Sequence, residues 1–206
     1  GFTNVLAALG TAFTLDQAKL LRKHTETLYF CYDSDDAGKK AVLRSIDIIL
    51  PTGLPCRVIQ IPKPYKDPDE FITAKGKEAF EELIENAKGS LEYYWDALTE
   101  NKDLKDPMTQ SAVVSSMFQR LAKINDTILI EAMVRKKSLD VRIRPSVLEE
   151  RFFSNRGAFS SSKRKKRVIE KNKSSKIRIS TILGLSGVGE PSVEYITMAI
   201  TKNNNR

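Results

Sequence analysis

Apolar residues near the start of the chain occur in short runs separated by amphipathic stretches. Three of the runs are typical of buried strands, and they cover residues 4–9, 27–33 and 56–61. The stretches between them repeat apolar residues at helical spacing, and Thr14 is placed to cap the first of these helices. Strands that alternate with helices favour a parallel sheet with crossover helices. The pattern therefore predicts an α/β fold for residues 1–75.

The apolar spacing becomes helical throughout after Pro68. Residues 67–87 predict a short helix followed by a longer one. Four further amphipathic stretches follow, each opened by a helix-starting residue, and they cover residues 90–100, 106–124, 126–140 and 144–153. We expect residues 76–154 to form an all-α helical bundle, with its aromatic residues Tyr93, Tyr94 and Trp95 in the core.

The positive charge of the chain is concentrated near its end. The net charge is +8, from 34 Lys+Arg and 26 Asp+Glu, and residues 155–206 contain 12 of the basic and 3 of the acidic residues. Residues 155–178 lack apolar periodicity and predict a basic linker, whereas residues 179–206 match no recognisable element. A candidate site for nucleic-acid phosphate lies in this linker, although a solvated run is the favoured interpretation. Its residues are Lys163, Arg164, Lys165, Lys166 and Arg167.

Composition excludes several classes of protein. Apolar residues make up 41% of the chain, yet no run approaches the roughly 20 residues that a membrane-spanning helix needs. The first residues lack a methionine and a basic segment, so we expect a start within a longer protein rather than a signal peptide. Cys31 and Cys56 lie in apolar runs, and the chain has one His. Buried, reduced thiols of a cytosolic protein are therefore expected, and a Cys/His zinc site is not.

An acidic cluster, "DSDD" at residues 33–36, directly follows the second predicted strand. Ligands of parallel α/β sheets bind outside the carboxyl ends of the strands. Asp33 and Asp35 are two residues apart and can face the same side, where they would repel each other unless a cation lay between them. Because Mg²⁺ prefers such oxygen ligands, this pair predicts a magnesium site. Asp36 is expected to cap the next helix or to favour the positive end of its dipole, and Gly38 to allow close packing of helix and strand. The alternative is that the cluster is only a solvated turn with an N-cap.

A second acidic pair follows the third predicted strand. Asp67 and Asp69 lie in "KDPDEF" and reach the same edge of the sheet if the strands are parallel. The alternative is a helix start, with Asp67 as N-cap and Pro68 at the first helical position. Two acidic pairs at one edge would create a field that attracts divalent cations.

Three segments, in this order and spacing, resemble the Toprim region of bacterial DnaG-type DNA primases. They are "LGTAFT" at residues 9–14, "CYDSDDAGKKA" at residues 31–41 and "KDPDEF" at residues 66–71. The helical stretch up to Phe153 resembles the bundle that closes the polymerase domain of these primases. The resemblance implies a partial Toprim fold, a parallel sheet with flanking helices, followed by an all-α subdomain.

The resemblance also implies an activity and a set of ligands. Asp33 and Asp35 would be the catalytic metal ligands, and Asp67 and Asp69 a further acidic pair around Mg²⁺ or Mn²⁺. The implied activity is synthesis of short RNA primers on single-stranded DNA during replication. The implied partners are the template, ribonucleoside triphosphates and the replicative helicase, with no membrane, in the bacterial cytoplasm at the nucleoid or replisome.

Some features of the family are not found among these residues. The Toprim glutamate would lie on a strand before Gly1. The zinc-binding region would also lie outside these residues, and it alone would hold zinc. The same is expected of the basic subdomain that guides the template. We therefore expect residues 1–206 alone to bind metal weakly and to make no primers. Ser34 stands where many members have glycine. The alternatives are another Toprim enzyme, of topoisomerase, recombination or nuclease type, and a non-catalytic nucleic-acid-binding module that uses the basic run.

Overall fold

The structure is a computed structural model that describes residues 2–7, 12–161 and 198–201. Its strands are β1 Val5–Ala7, β2 Leu28–Cys31, β3 Cys56–Ile59, β4 Lys88–Gly89 and β5 Met198–Thr201. Its α-helices are α1 Leu15–Leu21, α2 Asp36–Ile49, α3 Pro68–Glu85, α4 Ser90–Thr99, α5 Pro107–Leu121, α6 Thr127–Asp140 and α7 Pro145–Ser161. A short 3-10 helix, Leu50–Thr52, follows α2. Among the helices of these ranges, none has the length and apolar content that crossing a bilayer requires.

The five strands form one mixed sheet in the order β1-β5-β2-β3-β4. β2 and β3 are parallel, with Leu28 opposite Cys56 and Cys31 opposite Ile59, and α2 lies between them in the chain. β5 is antiparallel to both β1 and β2, and β4 is antiparallel to β3. The α/β fold class and the parallel crossover pair are thus confirmed.

The position of β5 corrects the expectation of a wholly parallel sheet within residues 1–75. β5 comes from the tail that sequence patterns left unassigned, and it lies between β1 and β2, so that Tyr29 is opposite Ile200. β1 pairs with β5 on the other side, where Val5 is also opposite Ile200. Pairing of this kind depends on backbone hydrogen bonds between distant segments, which local apolar spacing does not specify.

Helices cover both faces of the sheet. Residues of β2 alternate between the two faces, so that Leu28 and Phe30 pack with α1 and α2 while Tyr29 and Cys31 pack with α3. A strand buried on both faces is expected to be apolar throughout, which explains the continuous apolar run at this point. Cys31 and Cys56 are free and buried, as predicted. Burial raises the pKa of both thiols to about 12, which makes them unreactive.

A separate apolar core holds α4 to α7 together. Trp95, Phe118 and Phe152 are buried in it, and the rings of Phe118 and Phe152 meet edge to face at 5.1 Å. The predicted helical layer is confirmed, including the burial of Tyr93, Tyr94 and Trp95. Gly76 has a φ of 86° inside α3, so this helix consists of two pieces, as its sequence predicts.

The end of the helical layer differs from the predicted boundary. α7 continues to Ser161, past residue 155, where the basic linker was expected to begin. The basic run Lys163, Arg164, Lys165, Lys166 and Arg167 lies outside the described residues. The structure therefore leaves its predicted role in nucleic-acid binding as a prediction.

An ionic junction attaches the sheet layer to the helical layer. Asp47 of α2 pairs with Lys123 and, at 3.4 Å, with Arg120 of α5. The Arg120 guanidinium also lies over the ring of Tyr94, 4.4 Å from its centroid. The junction fixes the later part of α2 against the bundle, and the start of α2 is at the acidic cluster.

Candidate metal centre

Asp33 lies two residues beyond β2, at the carboxyl end of the parallel pair, and it is partly buried. Asp35 is exposed, and its backbone is extended, with φ −81° and ψ 177°. Its Oδ1 accepts a hydrogen bond from the amide of Gly38 at 2.6 Å. Asp35 is therefore the N-cap of α2, and the expectation that Asp36 caps this helix was wrong. A cap needs extended backbone and reach to the amide three residues on, whereas Asp36 is already the first residue of the helix. The other expected role of Asp36, at the positive end of the helix dipole, agrees with its place in the first turn.

Gly38 brings α2 against the acidic turn. A Cβ atom added at this position would lie 2.1 Å from the carbonyl oxygen of Asp33. Only glycine allows such an approach, since a contact this short does not occur with any side chain. The packing that places Asp33 beside the first turn of α2 therefore depends on Gly38, as the sequence predicts.

The second acidic pair divides into a capping residue and an exposed one. The side chain of Asp67 accepts a hydrogen bond from the amide of Glu70 at 2.8 Å, and Pro68 is the first residue of α3. The helix-start alternative is thus correct for Asp67. Asp69 lies in the first turn of α3 and is exposed.

Two hydrogen bonds join the two acidic turns directly. The amide of Ser34 donates to the carbonyl of Lys66 at 2.7 Å. The Ser34 hydroxyl donates to the carbonyl of Tyr65 at 2.9 Å. Because Ser34 lies between Asp33 and Asp35, and Lys66 precedes Asp67, these bonds bring carboxylates from both turns to one place.

The pKa of Asp33 reflects the closeness of the two turns. Burial raises the pKa of the Asp33 carboxyl, and the charges of Asp35 and then of Asp67 raise it further. Mutual repulsion of this kind is what a divalent cation would relieve. Within the described ranges, no three Asp, Glu, His or Cys side chains converge closely enough to enclose a metal by themselves. The donor set fits Mg²⁺ or Mn²⁺ held by a few carboxylates, with water and phosphate oxygens in the remaining positions, and does not fit a closed protein cage.

A polar groove leads away from the acidic turns towards α4. A cleft of about 170 Å³ is lined by Asp33, Ser34, Lys39 and Lys63, among others. A second cleft, of about 400 Å³, shares Lys39 and two further residues with the first and extends to Glu100. Lys39 pairs with Glu100 across it, at 3.2 Å. Lys39 and Lys63 thus bring positive charge to the cleft that Asp33 also lines.

Lys39 and Lys63 are the site residues that sequence reasoning did not find. One signal was available for Lys39, since a cation near a helix N-terminus opposes the helix dipole and suggests a role other than helix stability.

Comparison with known proteins decides the family. A family model described as Toprim-like matches residues 1–72. The DNA primase of Clostridium acetobutylicum is 38% identical over 148 residues, which cover 72% of this chain and 24% of that protein. The DnaG catalytic core superposes with a TM-score of 0.60 at 27% identity, over 68% of this chain and 46% of that one. The chain belongs to the bacterial DnaG-type DNA primase family.

The family match includes both acidic turns. Residues 1–72 contain Asp33, Asp35, Asp67 and Asp69, and the matches to whole primases extend into the helical layer. A DnaG primase catalytic domain bound to single-stranded DNA superposes with a TM-score of 0.60 at 26% identity, over 67% of this chain and 44% of that one. The chain spans about a quarter of the length of the curated primases it matches.

Proposed function

We propose that this chain supplies the metal-binding edge and the following helical layer of a primase that synthesises RNA primers on single-stranded DNA. One observation carries the proposal: Ser34 hydrogen-bonds across the two acidic turns, and the charges of Asp35 and Asp67 both act on the Asp33 carboxyl at this edge of the sheet. Convergent carboxylates in a primase-family chain support nucleotidyl transfer better than a purely structural role.

Asp33 and Asp35 are the proposed catalytic metal ligands, with Asp67 beside them and Asp69 further out on α3. Asp35 and Asp67 each use carboxylate oxygen to cap a helix, which holds the side chain in place and leaves its other oxygen for a cation. A bound Mg²⁺ or Mn²⁺ would neutralise charge on a triphosphate and orient it for attack.

The groove beside the carboxylates is the proposed place for the nucleotide. Lys39 and Lys63 line it and carry the charge that triphosphate oxygens need. The Lys39–Glu100 pair keeps the Lys39 ammonium at the groove wall until an anion competes for it. The template strand, ribonucleoside triphosphates and a replicative helicase are the proposed partners, in a bacterial cytoplasm, and the basic run of residues 163–167 is a proposed phosphate contact.

Metal binding is the first test. Calorimetric titration with Mn²⁺ should give saturable binding to the chain, and Asp33→Asn with Asp35→Asn should remove it. Asparagine keeps the helix cap at position 35, so the double variant should remain folded. Asp36→Asn, an exposed carboxylate in the first turn of α2, is the matched control and should bind nearly as the parent does. Equal binding by the double variant and the parent would reject the site.

Activity is the second test. Residues up to 153 can replace the matching segment of the C. acetobutylicum primase, to which the chain is 38% identical. The chimaera should make RNA primers on single-stranded DNA with ribonucleotides and Mg²⁺, and Asp33→Asn should lower the rate by orders of magnitude. A chimaera that folds and binds Mn²⁺ but makes no primers, or one insensitive to Asp33→Asn, would contradict the proposed activity.

A further inference from the structure

Ser34 occupies the position between the two proposed metal ligands of the first acidic turn. Its amide and its hydroxyl both donate to the second turn, to Lys66 at 2.7 Å and to Tyr65 at 2.9 Å. Position 34 lies in a bend, and the Ser34 hydroxyl is directed to the backbone of the second turn. The hydroxyl hydrogen is therefore used to hold the second turn.

The acceptor side of this contact is itself fixed to the core. The ring of Tyr65 meets that of Phe71 edge to face at 5.2 Å, and Phe71 is buried under the sheet. The Tyr65 amide donates to the carbonyl of Pro62 at 3.2 Å. Because the Tyr65 carbonyl is held in place, its hydrogen bond with the Ser34 hydroxyl holds the first acidic turn at a fixed position relative to the second.

Glycine at position 34 would keep only the amide bond. Serine adds a second bond and also removes the conformational freedom that glycine gives to a turn. The two bonds from Ser34 go to the carbonyls of two adjacent residues, Tyr65 and Lys66. Together they fix both the distance and the angle between the first acidic turn and Asp67.

We infer that Ser34 is a positioning residue that sets the spacing between the Asp33–Asp35 turn and Asp67 for a divalent cation. The inference rests on the proposed metal site, and it assigns to this chain a contact that a glycine cannot make. Loss of the hydrogen bond from the Ser34 hydroxyl to the Tyr65 carbonyl should weaken Mn²⁺ binding about fivefold.

The experiment compares Ser34→Ala with Ser34→Thr, which restores a hydroxyl, and with Ser115→Ala as a matched control. Ser115 also donates its hydroxyl to a backbone carbonyl, that of Ser111 at 2.7 Å, but in α5. Mn²⁺ affinity is measured by calorimetry. Amide hydrogen exchange at position 34 is measured in metal-free protein, so that one readout does not depend on the cation.

We expect Ser34→Ala to bind Mn²⁺ more weakly and to exchange its amide hydrogen at position 34 faster. Ser34→Thr and Ser115→Ala should resemble the parent in both measurements. Parent-like affinity and exchange in Ser34→Ala would overturn it, as would equal weakening by Ser115→Ala. If the parent shows no saturable Mn²⁺ binding, the proposed site fails, and the exchange data then decide alone. Faster exchange in Ser34→Ala would support the coupling of the two turns, and unchanged exchange would reject it.

Discussion

Gly38→Ala tests the packing on which the acidic turn depends. Position 38 is helical, and in a helix alanine is ordinarily better than glycine by about 1 kcal/mol. The added Cβ, however, would lie 2.1 Å from the carbonyl oxygen of Asp33 and 2.9 Å from its carbonyl carbon. Both are backbone atoms, which cannot turn aside as a flexible side chain can.

The expected cost follows from the displacement that this contact demands. Since carbon contacts become comfortable near 3.5 Å, α2 and the Asp33 carbonyl must separate by about 1 Å or more. Overpacking of this kind costs up to about 3 kcal/mol, and the gain in helix propensity leaves a net loss of about 2 kcal/mol. The same displacement would move Asp33 relative to Asp35, so Mn²⁺ binding should weaken by at least about tenfold.

Gly157→Ala is the matched control. Gly157 is an exposed residue of α7, and an added Cβ there meets no atom within 4 Å. This substitution should stabilise the protein by about 0.5–1 kcal/mol and leave metal binding unchanged. Urea unfolding and Mn²⁺ titration of both variants give the comparison. Equal stability of the two variants would refute the claim that α2 and the Asp33 turn are in contact through Gly38.

Three further predictions concern the acidic turn and the sheet. Asp35→Ala should lower the free energy of unfolding by about 1 kcal/mol in urea, because it removes the N-cap, whereas Asp35→Asn should change it by only a few tenths; equal losses would contradict the cap. The pKa of Asp33 in the folded protein is raised above 3.8, so the charged carboxylate destabilises the fold at pH values above that raised pKa. This cost is lost as the pH falls through the folded-state pKa and is absent below pH 3.8. Asp33→Asn should thus be more stable than the parent at pH 7 and lose this advantage in acid, as thermal melts across pH would show; a pH-independent difference would contradict it. A chain that ends before residue 198 lacks β5, so the amides of β1 and β2 should exchange faster, and unchanged protection would argue against a central β5.

The order of elements between residues 14 and 153 could be predicted because its signals are local. Thr14 caps α1 with a reciprocal bond to Gln17, and Pro68 and Pro107 open α3 and α5. Each of these signals acts within one helical turn, so neighbouring residues suffice to recognise it.

The topology around β1 could not be predicted in the same way. β5 is separated from β2 by most of the chain, and its place between β1 and β2 depends on backbone pairing that its own residues do not specify. A run of four residues also matches several structural interpretations equally well. α7 likewise continues past residue 153, where the predicted helix ended, because residues 154–157 are polar or glycine and carry no apolar spacing that would predict its continuation.

Sequence reasoning located the carboxylates of the site but not the contacts that hold them. Asp33, Asp35 and Asp67 were predicted from their places after strands, since strand ends of a parallel pair meet at one edge. Ser34 binds backbone carbonyls at positions 65 and 66, and a carbonyl acceptor has no signature in the residue type. The choice between Asp35 and Asp36 as cap likewise depends on one backbone angle.

The helical layer can influence the site through α2 without contributing a ligand to it. α2 begins at the Asp35 cap and carries Asp47 near its other end, about 18 Å away at the rise of an α-helix. Asp47 is held by Arg120 of α5 and by Lys123 just beyond the end of that helix, and their side chains are only 23% and 18% exposed. Cations desolvated to this degree need their counter-ion, so the junction resists displacement. Because a helix of this length moves as a rigid body, fixing Asp47 against the bundle also fixes where Asp35 stands relative to Asp67.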